Sequence, residues 1–173
     1  MSDLITDTHV YFYGGILSQW YRCEFTIKGY TYNCAEQFMM HCKAMMFGDG
    51  KAATAIMNSI SPREQKFFGR KVIDFDVNRW NKIAINIVTA GNFAKFSQNT
   101  DLKEYLLNTE NKILVEASPT DKIWGVGLSK DDPKILCSSN WLGTNWLGEC
   151  LMNARDIIKS NPNGTVELGY IVI

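Results

Sequence analysis

Ile113-Leu114-Val115-Glu116-Ala117-Ser118-Pro119-Thr120-Asp121-Lys122-Ile123-Trp124-Gly125-Val126-Gly127-Leu128 is the stretch that decides the fold class. Its first three residues read as a short buried strand. The strand stops over Glu116 to Pro119, because Pro has no N–H for a ladder and pushes its predecessor away from helical geometry. An Asp, a Trp and two glycines then follow at the strand's mouth. Glycines such as Gly125 allow close backbone approach to a ligand. Trp124 offers a flat face to a base or sugar, and Asp121 offers a proton or a charge. A capped turn with a core Trp accounts for this segment equally well.

Working outward, Val10 to Tyr13 is a β-type run stopped by Gly14-Gly15. Residues 23–32 read as a hairpin with Lys28-Gly29 at its turn. Asn33 is placed as a helix cap with Glu36 three residues on, a capping-box-like start to a helix reaching about Phe47. Short helices follow over 51–59 and from Ser61-Pro62 to Gly69, with Pro at the tolerated first position. Asp76 caps the longest predicted helix, 77–96, in which Trp80, Ile83, Ile87, Val88 and Ala90 keep a helical period. Thr100 to Leu107 and Asn145 to Lys159 are further helices, and residues 166–173 are a last strand. The class is α+β: a single mainly helical domain over 1–173, with a small sheet drawn from both ends and the middle of the chain.

At 173 residues and 46% hydrophobic content, the chain is long enough for a sizeable core, burying roughly 70% of its unfolded surface. Lys+Arg and Asp+Glu both number 18, so the formal net charge is zero. That lacks the basic excess typical of duplex-binding proteins. No apolar run approaches the ~20 residues of a membrane span. Residues 1–7 carry two acids and no basic segment, so a signal peptide is not expected and a cytoplasmic location is. Five cysteines at loose spacing, with no CxxC pair, read as reduced thiols. Cys34, His41 and Cys42 sit on one predicted helix, too few ligands for a metal site. Neither a metal nor a cofactor is expected.

Glu36 and Lys43 lie seven residues apart, two turns along one face of a helix otherwise rich in Phe and Met. On such a mostly buried helix, each stands either at an exposed edge or in a cleft. Glu36 also suits the positive helix N-terminus, and Lys43 also reads as a snorkelling surface residue. Arg70 and Lys71 suit the end of a helix or a phosphate. Trp80 reads as core or as a ligand platform. Asn92 to Asn99, containing Lys95, combines aromatic, basic and amide groups at a helix end. The stretch Trp141 to Gly148, containing Asn145, reads as a tight loop-to-helix corner or as a set of N–H groups for an anion. No Ser/His/Asp order, Walker loop or GxGxxG occurs.

Several of these segments, in this order, resemble the NADAR family, the YbiA-like N-glycosidases. The resemblance runs from about Val10 to Lys159. Its stretches are Phe12-Tyr13-Gly14 with Leu17-Ser18-Gln19-Trp20-Tyr21, then Tyr32-Asn33-Cys34-Ala35-Glu36-Gln37-Phe38, and Lys43-Ala44 through Asp49. They continue with Gly69-Arg70, Phe75-Asp76 and Trp80, then Ala94 to Asn99. Leu114 to Pro119 with Asp121 and Ile123-Trp124-Gly125, and Asn140 to Met152, complete the set. Two departures stand out. Ser18-Gln19-Trp20-Tyr21 replaces the usual Ser-Asn-Phe-Tyr, and Gln37 stands where the helix usually has His or another polar residue.

The resemblance implies hydrolysis of an N-glycosidic bond to a phosphorylated ribose. The substrates it suggests are ADP-ribose on guanine bases, in DNA, RNA or free nucleotide, and phosphoribosyl intermediates of riboflavin biosynthesis. Carried over by position, Glu36, Trp80 and Asp121 are the expected catalytic residues, and Lys43 is a possible covalent one. Trp20, Tyr21, Arg70, Lys95, Trp124, Gly125 and Asn145 are the expected substrate contacts. Glu36 would stabilise the ribosyl cation or activate water, and Asp121 would relay a proton to the leaving nitrogen. Lys43 would alternatively attack C1 and pass through a Schiff base. A non-catalytic ADP-ribose- or NAD-binding module and a purely structural protein are the competing readings. Only the enzyme needs Glu36 and Asp121 for turnover.

Overall fold

The computed structural model describes residues 3–161 and the backbone of 167–168 and 171–172. Three strands form the main sheet, in the order β1 (Leu4–Ile5), β2 (His9–Phe12), β5 (Ile113–Glu116). β1 pairs antiparallel with β2, and β2 pairs parallel with β5, Phe12 opposite Glu116. A separate hairpin joins β3 (Phe25–Ile27) to β4 (Tyr30–Tyr32). Lys28 and Gly29 both have positive φ at its turn, the combination that a two-residue hairpin loop requires. The expected final strand over 166–173 lies largely outside the described residues. Within it, β6 (Glu167–Leu168) and β7 (Ile171–Val172) pair with each other and not with the main sheet.

Among the described residues, seven α-helices accompany the main sheet. They are α1 (Ala35–Met46), α2 (Gly50–Asn58), α3 (Pro62–Arg70), α4 (Val77–Asn81), α5 (Ala84–Ser97), α6 (Thr100–Asn108) and α7 (Trp146–Ser160). The α+β expectation holds. α5 is buried along most of its length and packs against α7, α1 and α6. A helix apolar on all sides is the one a domain places at its centre.

Two local expectations are corrected. The predicted helix over 77–96 is broken at Lys82-Ile83 into α4 and α5. No Gly or Pro marks the break, so the helical period runs through it unseen. Asp76 does cap the first piece, its Oδ1 accepting the N–H groups of Asn78 and Arg79. The second correction is at α1, whose N-cap is Cys34 and not Asn33. The helix starts one residue late, so Gln37 takes the third position. Its Oε1 accepts the Asn33 N–H at 2.8 Å, the bond expected of a capping-box acid. Glu36 is thereby released from capping.

The segment after β5 is laced to the segment before α7. N–H groups of Leu142, Thr144, Asn145, Trp146 and Leu147 donate to carbonyls of Val126, Lys122, Gly125, Ile123 and Trp124 at 2.9–3.3 Å. These donors are spent inside the protein, so the 141–148 corner is not the anion site weighed from sequence. A Cβ on Gly143 would lie 2.3 Å from the Gly125 carbonyl oxygen. Close approach of the chain to itself, not to a ligand, therefore explains that glycine.

Asn145 finishes the join. Its side chain donates to the Leu114 carbonyl at 2.9 Å and accepts the Glu116 N–H at 3.0 Å, and its backbone is left-handed at φ 56. Asn is one of the few side chains at home in that region. Asn145→Ala is expected to lose both hydrogen bonds, about 2 kcal/mol, and to add roughly 1 kcal/mol of left-handed strain. Asn145→Gly loses only the bonds. Thermal unfolding should rank wild type above Gly above Ala, at about 2–4 °C per kcal/mol.

Candidate active site

One cleft of about 720 Å³ opens where α1, α3 and α4 meet the C-terminal end of β5 and the loop beyond it. α1 contributes Glu36, Met39, Met40 and Lys43. α3 contributes Lys66 and Arg70, and α4 contributes Trp80 and Asn81. Glu116, Ser118, Asp121 and Trp124 come from the opposite side, with Trp146 at the start of α7. Trp20 and Phe75 stand at the rim, 43% and 40% exposed. A cleft that is mostly apolar with a few convergent polar groups is the usual form of a small-molecule site.

Glu36 is buried, 5% exposed, and its N–H donates to the Gln19 carbonyl at 3.0 Å. Burial pushes its carboxyl up to about 7, and the Asp121 charge adds to the rise. Lys66, a hydrogen bond from the Trp20 side chain and Arg70 oppose it. Lys43 lies 3.8 Å from the centroid of the Phe75 ring. Burial lowers its pKa, helped by the nearby Arg70 cation and opposed by Glu36. Acid and amine are thus shifted towards their neutral forms in one cleft, as at sites that move protons or form covalent bonds.

Asp121 is fixed by its own backbone turn. Its Oδ1 accepts N–H groups from Ile123 at 2.9 Å and Trp124 at 2.8 Å, and its N–H donates to Ser118 Oγ at 3.2 Å. The Trp124 and Trp146 rings meet edge to face, centroids 5.7 Å apart. Trp80, 6% exposed, forms part of the wall and is also packed in the core.

Sequence reasoning missed two charged members. Glu116 lines the cleft, and its Oε2 is buried without a hydrogen-bond partner. Burial raises its carboxyl to about 7, with Asp121 and Glu36 adding to the rise and Lys66 opposing it. The available signal was a carboxylate at the last position of a buried strand, read only as part of the strand's end. Lys66, one turn before Arg70 on α3, was the other. The i, i+4 spacing could have paired them.

Four expected contacts do not line this cleft. Lys95 is wholly buried, and its Nζ donates to the carbonyls of Ile16 at 2.7 Å and Ser18 at 2.9 Å. Burial lowers its pKa to about 8. It holds the 16–18 loop and faces no phosphate-sized space. Gly125 lies against the carbonyls of Glu116 and Asp121, and Asn145 is the tie described above. Tyr21 lines a neighbouring hollow with Gly15 and Arg22. The cysteines are free. Cys34 donates to Gln65 Oε1, and His41 pairs with the Tyr32 hydroxyl. Among the described residues no group of three His, Cys, Asp or Glu side chains is placed to hold a metal, and no helix is long and apolar enough to cross a membrane.

Comparison with known proteins agrees with this architecture. The NADAR domain profile matches residues 11–159. An N-glycosidase of Acanthamoeba polyphaga mimivirus is 42% identical over 166 residues, covering 87% of this chain and 96% of that one. The chloroplastic riboflavin biosynthesis protein PYRR of Arabidopsis thaliana is 33% identical over 104 residues, 58% of this chain and 16% of that one. The solution structure of the E. coli protein YbiA superposes with a TM-score of 0.74 at 24% identity, covering 96% of this chain and 94% of that one, and so shares the fold. By the extent of the domain match and by its viral relative, the chain belongs to the NADAR family.

Proposed function

We propose that this protein is an N-glycosidase that removes ADP-ribose from guanine bases of nucleic acid or nucleotide. The carrying observation is that Glu36, Lys43 and Asp121, remote in sequence, share one cleft with tryptophans and the cations Lys66 and Arg70. Relatives named N-glycosidase support the general chemistry. Aromatic faces at Trp20 and Trp124 suit a purine, and Lys66 and Arg70 suit a diphosphate. Zero net charge favours one flipped base or a free nucleotide over a long duplex contact.

Breaking a ribosyl C1–N bond places positive charge on the sugar. Glu36 stabilises that charge or takes a proton from the attacking water, and a carboxyl near neutrality can do either. Asp121, with Oδ1 tied to the backbone, presents its other oxygen as a fixed acceptor. Lys43 offers a second route, because its lowered pKa favours the neutral amine that attacks C1 and forms a Schiff base with the opened ribose. The riboflavin-pathway reading rests on the partial match to riboflavin biosynthesis proteins, and there the leaving group would be smaller.

The deciding assay is ADP-ribose release from a guanine-modified oligonucleotide. Wild type should release it, and Glu36→Gln should slow turnover by roughly 10²–10⁴-fold. Release only from a phosphoribosyl pyrimidine would replace guanine as leaving group, and binding without turnover would leave a non-catalytic module. Borohydride added during turnover should trap a covalent adduct in wild type and none in Lys43→Met if the Schiff-base route operates. Its absence in both would leave direct hydrolysis.

Stability gives an independent check. The Glu36 carboxyl titrates at about 7 in the folded protein, against 4.5 for the free side chain. The folded state holds the extra proton between those values, so its contribution to stability is present below pH 4.5 and lost as pH rises through 7. Glu36→Gln should therefore be more stable than wild type at pH 8, by on the order of 1–3 kcal/mol, with a correspondingly higher Tm, and this advantage should shrink towards pH 5. A lower Tm at both pH values would return Glu36 to a structural role.

A further inference from the structure

We propose that Glu116 is the acid of this cleft, a catalytic residue that delivers the proton taken up by the departing base nitrogen. The inference rests on the glycosidase reading and gives a role to Glu116, which lies within a matched stretch but is not among the catalytic or binding positions carried over from the resemblance.

The geometry separates the three carboxyl groups. Asp121 Oδ1 already accepts two N–H bonds, so that oxygen is committed to its own backbone turn. Around Glu36, Lys66, the Trp20 side chain and Arg70 all favour the charged carboxylate. Glu116 has a buried Oε2 that no donor reaches. A carboxylate oxygen buried without a donor is costly, and protonation lowers that cost by removing the charge. The residue is also held still. Its N–H donates to Asn145 Oδ1 at 3.0 Å, and its carbonyl accepts the Val126 N–H at 3.0 Å. A general acid needs such fixed placement, because proton transfer demands hydrogen-bond reach.

The charged groups around Glu116 are Glu36 from α1, Lys66 from α3 and Asp121 from the loop, with Lys43 and Arg70 elsewhere in the cleft. Two neighbouring carboxylates favour a proton on Glu116, and Lys66 limits the shift to about neutrality. The proton relay expected of Asp121 from sequence thus sits better on Glu116.

The step balances as follows. The C1–N bond breaks and its electron pair stays on nitrogen, which takes the Glu116 proton. The oxygen of water adds to C1, and the water's proton passes to Glu36. Transfer of that proton through solvent restores Glu116, and the net change is hydrolysis.

The test compares two leaving groups. A guanine nitrogen needs a proton to depart, whereas 4-nitrophenolate does not. Glu116→Gln keeps the shape of the neutral acid and should match or exceed the wild-type Tm, which controls for folding. On guanine-linked ADP-ribose its kcat should fall roughly 10²–10³-fold with little change in KM. On 4-nitrophenyl ADP-ribose the loss should be at least about tenfold smaller. The fall of wild-type kcat/KM above neutral pH should also disappear in the variant. Equal losses on both compounds, or no loss on the guanine compound, would overturn the proposal.

Infrared difference spectra of the unliganded protein at pH 6 give a readout without turnover. Protonated carboxyl C=O absorption should come from both Glu36 and Glu116, one component being removed by Glu116→Gln and the other by Glu36→Gln. An unchanged spectrum in Glu116→Gln defeats the proposal whatever the activity. If the Glu116 component is present and wild type cleaves neither compound, the substrate assignment fails while protonated Glu116 stands.

Discussion

The lacing of residues 122–126 to residues 142–147 is the constraint on which the rest depends. Five backbone bonds and the Asn145 side chain tie the loop after β5 to both the strand and the start of α7. Without that tie, Asp121 and Trp124 would hang on an exposed loop and Glu116 on a fraying strand end. With it, they become part of a rigid wall. The glycine at 143 and the left-handed Asn145 let two backbones approach to hydrogen-bonding distance. The local peculiarities of this sequence are thus the cost of making a wall from loops.

The opposite wall follows a different logic. α1 belongs to the helical core, and its buried Phe and Met side chains hold it there. Packing takes care of position, which leaves Glu36 and Lys43 free to be poor choices for stability. Each is moved towards neutrality by burial. A buried carboxyl with an unsatisfied neighbour is a liability in a structural protein. Here the liabilities gather in one place, as local conflict with folding does at functional sites.

Much of the fold was legible in the sequence. β5 was placed at its observed bounds, and the hairpin turn at Lys28-Gly29 was set by local chemistry alone. The break between α4 and α5 was not legible, because nothing in the residues interrupts the helical period. The α1 cap was misplaced by one position, which assigned to Glu36 a bond that Gln37 makes. That single step separates a capping residue from a cleft residue. In the site, Glu36, Lys43, Arg70, Trp80, Asp121 and Trp124 could be named from resemblance, but their meeting in one cleft is tertiary. Lys95 shows the reverse failure. A lysine among aromatic and amide residues at a helix end looks like a ligand contact, and only the fold reveals the two carbonyls it serves.

The two walls come from different parts of the chain. One is built mainly from residues 36–81 and the other from residues 116–147, with residues 13–20 completing the lining, and α5 packs against both α1 and α7. The cleft is therefore a seam, and neither side of it holds all of the charged residues that line it. A nascent chain that has emerged only as far as α4, or a proteolytic fragment carrying only the loop wall, has the acids of one side and the cations of the other missing. Only the complete domain brings Glu36, Lys43, Lys66, Arg70, Glu116 and Asp121 to one cleft.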